Sequence, residues 1–375
     1  MSRLTMTPEE MLTKLVGFDS VVGRGNGPIV AFIQDWLSAQ EGVKVHVLPG
    51  PEGDRSNIFA SIGPVDRPGY VLSGHLDVVP ATEPGWRADP FVLRDDGGRL
   101  IGRGACDMKG FVAAALAMVP ELAAMDLQVP IHLALSYDEE AGCRGVPHLL
   151  AALPGLCALP VGAIIGEPSG LVPVLAHKGK AAIRVSAEGV AGHSSRPDLG
   201  QNAIHALVPV LAAAVAQAAD LMKGATDPRF APPWSSLQIG TVAGGQALNI
   251  IPERSEAQIE ARAIAGVDPL ELLAPVIAAA EAARVEVEMI STYPALSLAA
   301  DDPLADKIAT LSGFTPLAAV SYGTEAGLFQ AAGVPAVVCG PGDIARAHKP
   351  EEYLTRDELH ATYALIRRLG ESLAV

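Results

Sequence analysis

Basic residues are scarce in this chain: 27 Lys and Arg stand against 42 Asp and Glu over 375 residues, a formal charge of -15. Binding to nucleic acid needs a basic face that displaces counterions, so no nucleic-acid partner is expected. Cysteine is scarcer still. Cys106, Cys143, Cys157 and Cys339 lie far apart and form no C-x-x-C pair, which argues against a disulfide framework or a thiolate zinc site. Reduced thiols in a cytoplasmic protein fit this spacing better. Although 49% of the residues are hydrophobic, no run of eighteen or more apolar residues is free of charge, proline or glycine, so no membrane span is predicted. A targeting leader is not expected either, because Thr7-Pro8-Glu9-Glu10 has the cap, the early proline and the acidic third position of a folded helix start. Solenoid repeats and low-complexity tracts are absent. So is the G-x-S-x-G turn of a serine hydrolase, and Gly23-Arg24-Gly25-Asn26-Gly27 lacks the spacing of a dinucleotide loop.

The remaining pattern is that of an α/β protein. Short apolar runs at Tyr70 to Val79, Ile131 to Tyr137, Ala163 to Ile165 and Val334 to Cys339 alternate with helical segments. Each is followed closely by polar residues capable of chemistry, and in open α/β sheets the carboxyl ends of strands converge on one crevice. A mixed sheet with helices on both faces is therefore predicted. Between about residues 180 and 293 the order becomes strand, Ala-rich helix, two strands, helix, strand. This β-α-β-β-α-β (ferredoxin-like) unit can close its own small sheet. The expected organisation is a first part of a catalytic domain at 1–179, an inserted domain at 180–293, and the rest of the catalytic domain at 294–375.

In Ser73-Gly74-His75-Leu76-Asp77, alternation along a strand puts His75 and Asp77 on one face, where a carboxylate can fix an imidazole tautomer. A pair satisfied at a strand end is the plain alternative. Asp107 sits in a glycine-rich turn before an apolar helix, where it is either a solvated cap or a carboxylate offering both oxygens to an ion. Asp138-Glu139-Glu140 ends a buried strand with three acids whose repulsion is hard to explain without a cation. Neighbouring acids point apart, so one can bind metal while the other acts as general base, unless the segment is simply an acidic turn. Glu167 and His348 each lie in a loop stiffened by proline. His75, Asp107, Glu140, Glu167 and His348 make five candidate ligands, about the number that two zinc ions sharing one carboxylate require.

These segments, with Gly104-x-x-Asp107-Met108-Lys109-Gly110 and Gly166-Glu167-Pro168, resemble the M20 metallopeptidase/deacylase family over essentially the whole chain. Ala176-His177-Lys178-Gly179, Gly192-His193-Ser194-Ser195, Gly244 to Asn249 and Gly323-Thr324-Glu325-Ala326 resemble its acetylornithine deacetylase branch. The resemblance implies that Asp107 bridges two metals, that His75 and Glu167 complete one site, and that Glu140 and His348 complete the other. Glu139 would be the general base and Asp77 the carboxylate that steadies His75. His193, in the inserted dimerisation/lid domain, would reach the partner subunit of a homodimer to stabilise the oxyanion. Asn249 and Arg262, assisted by Thr324, would hold a substrate carboxylate.

The implied reaction is deacylation of an N-acyl amino acid, with N-acetylornithine the leading substrate in arginine biosynthesis and Zn2+ (or Co2+) the metal. Another N-acyl amino acid deacylase, a succinyl-diaminopimelate desuccinylase, a dipeptidase and a non-catalytic metal-binding protein are the rivals. Two further expectations come from position alone. Glu325, beside Thr324, would pair with a distal substrate ammonium. Cys106 and Cys143, beside proposed metal residues, would make the protein sensitive to thiol reagents.

Overall fold

The structure is a computed structural model and describes residues 5–374. The chain divides into two compact units: unit 1 comprises 1–176, 297–318 and 324–375, and unit 2 comprises 177–296 with 319–323.

Unit 1 is built on a six-stranded sheet. Its strands are β1 (Val43–Pro49), β2 (Ser56–Ile62), β3 (Tyr70–His75), β4 (Ile131–Ser136), β5 (Gly162–Pro168) and β6 (Ala336–Gly340), in the order β1-β2-β4-β3-β5-β6. Pairing is antiparallel at β1-β2 and β2-β4 and parallel among β4, β3, β5 and β6. The sheet is thus mixed, with helices on both sides. Its parallel strands are apolar and buried on both faces, as continuous rather than alternating hydrophobic runs dictate.

Parallel pairing brings four carboxyl ends to one edge. His75 is level with Ser136. Extending the Ser73–Ile165 register by two residues places His75 level with Glu167. The helix Lys109–Leu122, apolar around nearly its whole circumference, lies buried against these strands. Two glycines permit that approach. A Cβ on Gly166 would lie 2.0 Å from Phe111 Cγ, and one on Gly74 would lie 2.8 Å from Met108 Cε. The Asp107 turn, which immediately precedes the helix, is thereby held beside the strand ends.

Unit 2 contains an antiparallel four-stranded sheet in the order Ser236–Gly244, Arg254–Ala263, Gly179–Glu188, Glu286–Tyr293. Strand Arg254–Ala263 alternates buried and more exposed residues, so one face is packed. The helices Ala203–Leu221 and Pro269–Ala283 supply the rest of that core through Leu207, Val210, Leu273 and Val276. Asn202 and Asp268 start these helices by accepting the backbone N–H groups of His205 and Leu270.

Pro209 lies inside the first of these helices without ending it. The resulting 19-residue helix is long and apolar enough to cross a membrane by length and composition, and only 17% of its apolar window is buried. Residues 319–323, placed by sequence reading in the 294–375 stretch, cluster with unit 2.

Candidate metal centre

Asp107 divides its carboxylate between two imidazoles. Oδ1 lies 3.1 Å from His75 Nε2 and Oδ2 lies 3.4 Å from His348 Nε2. On the first side Glu167 Oε1 approaches the same His75 nitrogen at 3.7 Å; on the second, Glu140 Oε1 lies 2.9 Å from His348 Nε2. His75 Nδ1 faces the main-chain carbonyl of Asp77 at 2.9 Å, and a carbonyl only accepts, so Nδ1 carries the ring proton. In a neutral ring Nε2 then aims a lone pair at two carboxylate oxygens. Such a contact requires a proton or a metal ion between the atoms.

The charges give the same answer. Five carboxyl groups, those of Asp77, Asp107, Glu139, Glu140 and Glu167, surround two imidazoles. Burial first, and then the charges of Asp107 and Glu139, push Glu167 well above the usual carboxylate range. Burial and the neighbouring Glu140, Asp77 and Asp107 push Glu139 up to about 8, against the opposing influence of His75. Hydrogen bonds that His348 donates to Asp107 and Glu140 raise it to about 10. Burial alone would lower His75, but the Asp107 hydrogen bond and the charges of Asp77, Glu167 and Asp107 raise it well above its ordinary value. His75, Glu139, Glu167 and His348 thus all hold protons more tightly than usual, while Asp107 between the two imidazoles stays ionised, as suits a donor set for cations. The ligand atoms of His75, Asp107 and Glu140 lie within 4.8 Å of one another, as do those of His75, Glu139 and Glu167. Oxygen and imidazole donors at this spacing fit zinc-like divalent ions.

The three consecutive acids are sorted by the turn that carries them. Asp138 adopts a left-handed conformation (φ 50°) and turns away, accepting from the Gly23 N–H at 2.9 Å and pairing with Arg55. It needs no cation. Asp77 Oδ1 and Oδ2 accept the backbone N–H groups of Glu139 and Glu140, both at 3.1 Å. The Asp77 carboxylate is 3.6 Å from His75 Nδ1, so the steadying of His75 falls to the Asp77 main chain and the carboxylate mainly shapes the acid turn. Glu139 Oε1 accepts from the Cys143 thiol at 3.3 Å.

Unit 2 carries three of the candidate residues. His193 is exposed, and its Nδ1 accepts the Ser195 N–H at 3.2 Å, which leaves the proton of a neutral ring on Nε2. Asn249 is exposed in the loop after Gly244. Arg262 is half-buried, with Nε and Nη2 on the Glu260 carboxylate and Nη1 on the Tyr293 hydroxyl. Thr324, in unit 1, is buried and its hydroxyl accepts the Ala326 N–H at 3.0 Å.

Two expectations fail on burial. Glu325 is 1% exposed and its oxygens accept from Ser73 Oγ at 2.5 Å and Ser136 Oγ at 2.8 Å, so it is not open to a substrate ammonium. Cys106 and Cys143 are buried, and burial followed by nearby carboxylates pushes both thiols up, which opposes the thiolate that reagents need. Sequence reasoning also passed over Glu352, whose carboxylate accepts the backbone N–H groups of Cys106 and Asp107. The available signal was Arg103, a charge inside a glycine-rich turn that must find a carboxylate if it is buried.

Comparison with known proteins matches residues 71–372 to Peptidase family M20/M25/M40. The chain belongs to this family. An acetylornithine deacetylase from Myxococcus xanthus is 34% identical, the match covering 95% of each chain. In fold, an M20 family metallo-carboxypeptidase from Sulfolobus solfataricus superposes with a TM-score of 0.82 at 17% identity, over 98% of this chain and 99% of that one. A Bacillus subtilis M20 protein described as a dinuclear metal binding peptidase gives 0.60 at 16%, over 98% of each. The M20 match begins at Val71, within β3, and runs through β6 and His348.

Proposed function

We propose that this M20 protein is a zinc-dependent amidohydrolase that converts N-acetylornithine to ornithine and acetate. The observation that carries the reading is the split Asp107 carboxylate, one oxygen toward each imidazole. The full-length similarity to acetylornithine deacetylases supports the substrate.

His75 and Glu167 would hold one ion, Glu140 and His348 the other, and Asp107 both. When bound, the two ions polarise the scissile carbonyl and bring the pKa of water toward neutrality. Asp107, Glu140 and Glu167 each have an oxygen within 3.7 Å of an imidazole nitrogen, whereas Glu139, although its ligand atom lies within 4.8 Å of those of His75 and Glu167, turns Oε1 to the Cys143 thiol. That difference favours Glu139 as the base. It takes a proton from the attacking water and returns it to the leaving amine. Asp77 holds the Glu139 main chain still while this happens. Arg262 has five N–H donors, and its three contacts to Glu260 and Tyr293 leave donors for the substrate carboxylate, with the exposed Asn249 assisting; Thr324 is as buried as Glu325 and is given no part in this contact.

The Nε2–H of His193 is a donor suited to a tetrahedral oxyanion, and we assign that task to the partner's His193 in a homodimer. Unit 2 offers the apolar surface such a dimer would cover: Val208 and Val215 on one helix are 52% and 63% exposed. Val208→Asp with Val215→Asp should give a monomer in sedimentation with activity largely lost.

The deciding assay is hydrolysis of N-acetylornithine, other acetyl amino acids, succinyl-diaminopimelate and dipeptides by chelator-stripped enzyme given back zinc or cobalt. Metal-dependent preference for acetylornithine is expected. Preference for another panel member would move the substrate and keep the chemistry. Bound metal without turnover would overturn the reaction itself.

A further inference from the structure

Glu352 lies four residues beyond His348 and 245 residues beyond Asp107, and it is 1% exposed. One oxygen, Oε1, accepts the backbone N–H groups of Cys106 and Asp107, each at 3.0 Å. The other, Oε2, pairs with Arg103 Nη1 at 2.8 Å, and Arg103 is also 1% exposed. Arg103 reaches further. Its Nη1 donates to the Lys349 carbonyl at 3.4 Å and its Nη2 to the Pro80 carbonyl at 3.2 Å, with Glu83 beside it. The Gly102 N–H donates to the Glu352 carbonyl at 3.0 Å, and strand Tyr353–Thr355 pairs with Arg99–Ile101. The loop bearing Asp107 and the loop bearing His348 are thus joined at both main chain and side chain.

We propose that Glu352, acting with Arg103, is the positioning residue that sets Asp107 between its two imidazoles. Asp107 can divide its oxygens only if its own backbone is fixed relative to both the strand end at His75 and the loop at His348. Glu352 supplies the second constraint. A buried carboxylate is a costly way to tie two loops together unless both of its oxygens are used. Here the two N–H groups and the guanidinium use them, and the arrangement transmits any movement of the His348 loop to Asp107. Groups that orient metal ligands without touching the metal alter affinity by about 10–100-fold when removed.

This inference rests on the two-metal reading above, and the test separates the two. Full-length zinc-loaded protein is challenged with a chromophoric chelator and the release rate recorded for wild type, Glu352→Gln, Glu352→Ala, Arg103→Met and the Glu352→Gln/Arg103→Met pair. The thermal midpoint of each metal-free protein and its kcat and KM are measured alongside. Release should accelerate by about 10–100-fold in Glu352→Ala and less in Glu352→Gln, which keeps an acceptor for the two N–H groups. The effect of the paired variant should fall short of the sum of its parts, because both changes break one contact. KM should move less than kcat. A purely structural role would lower the thermal midpoint and leave release unchanged. If Glu352→Ala does not fold, the isosteric Glu352→Gln decides. Release within about twofold of wild type in a folded variant overturns the proposal. Wild type that retains no zinc would instead sink the two-metal reading.

Discussion

Asp77 grips the turn of Glu139: its Oδ1 accepts the Glu139 backbone N–H at 3.1 Å, and its Oδ2 does the same for Glu140. The His75 ring is held separately, by the Asp77 main-chain carbonyl. Asp77→Asn therefore disturbs the base more than the ligand, since its amide N–H2 would oppose one of the two backbone donors while the carbonyl contact to His75 persists. The expected result is a fall in kcat of about 100-fold or more with metal content retained. Metal analysis beside steady-state kinetics checks it. Loss of zinc in parallel with activity would mean that Asp77 acts chiefly through His75.

Glu325→Gln should cost stability and spare specificity. Both of its oxygens accept serine hydroxyls in a fully buried setting, and a carboxamide presents one acceptor where two are needed. Mispairing one buried group costs about 1–3 kcal/mol, measurable in urea unfolding. The ratio of kcat/KM for acetylornithine over a neutral acetyl amino acid should stay at the wild-type value. A collapse of that ratio would restore the ammonium-binding role that burial argues against.

Thiol reagents should find one site in the native protein. Cys106, Cys143 and Cys339 are buried, whereas Cys157 is partly exposed, with burial pushing its thiol up to about 11. Labelling followed by peptide mapping should show slow modification at Cys157, full activity afterwards, and all four cysteines reactive only in denaturant. Rapid loss of activity with label on Cys143 would contradict this.

The strand ends were legible because apolar runs interrupted by His75-Leu76-Asp77 and by Asp138-Glu139-Glu140 admit few readings in an α/β chain. Which acid does what was not legible. Asp138 leaves the cluster through a left-handed turn and an arginine 83 residues away, and no spacing announces either. Glu352 acts on backbone N–H groups 245 and 246 residues upstream, a contact created only when β6 and its following loop return to the sheet. The Ala-rich helix was legible despite Pro209: a proline costs a helix one hydrogen bond and some crowding, and burial of Leu207, Val210 and Ala214 outweighs it.

Away from the centre, His132 gives unit 1 an acid-sensitive point. Its Nδ1 contacts Ser61 Oγ at 2.8 Å, its ring stacks on Phe59, and its buried Nε2 has no hydrogen-bond partner. Burial lowers its pKa from the ordinary 6.5 to about 4. The folded value lies below the unfolded one, so the unfolded chain binds the proton first. The neutral ring's contribution is fully present above about pH 6.5, declines as pH falls, and is gone below about pH 4, a span worth about 3 kcal/mol. His132→Asn removes the titration and keeps a polar atom near Ser61. Urea unfolding of metal-free protein across this range should show wild type losing stability more steeply than the variant, by at most about 1.4 kcal/mol per pH unit. Parallel curves would mean that solvent reaches His132 in the folded state, because only a hydrated imidazolium could escape the cost of that burial.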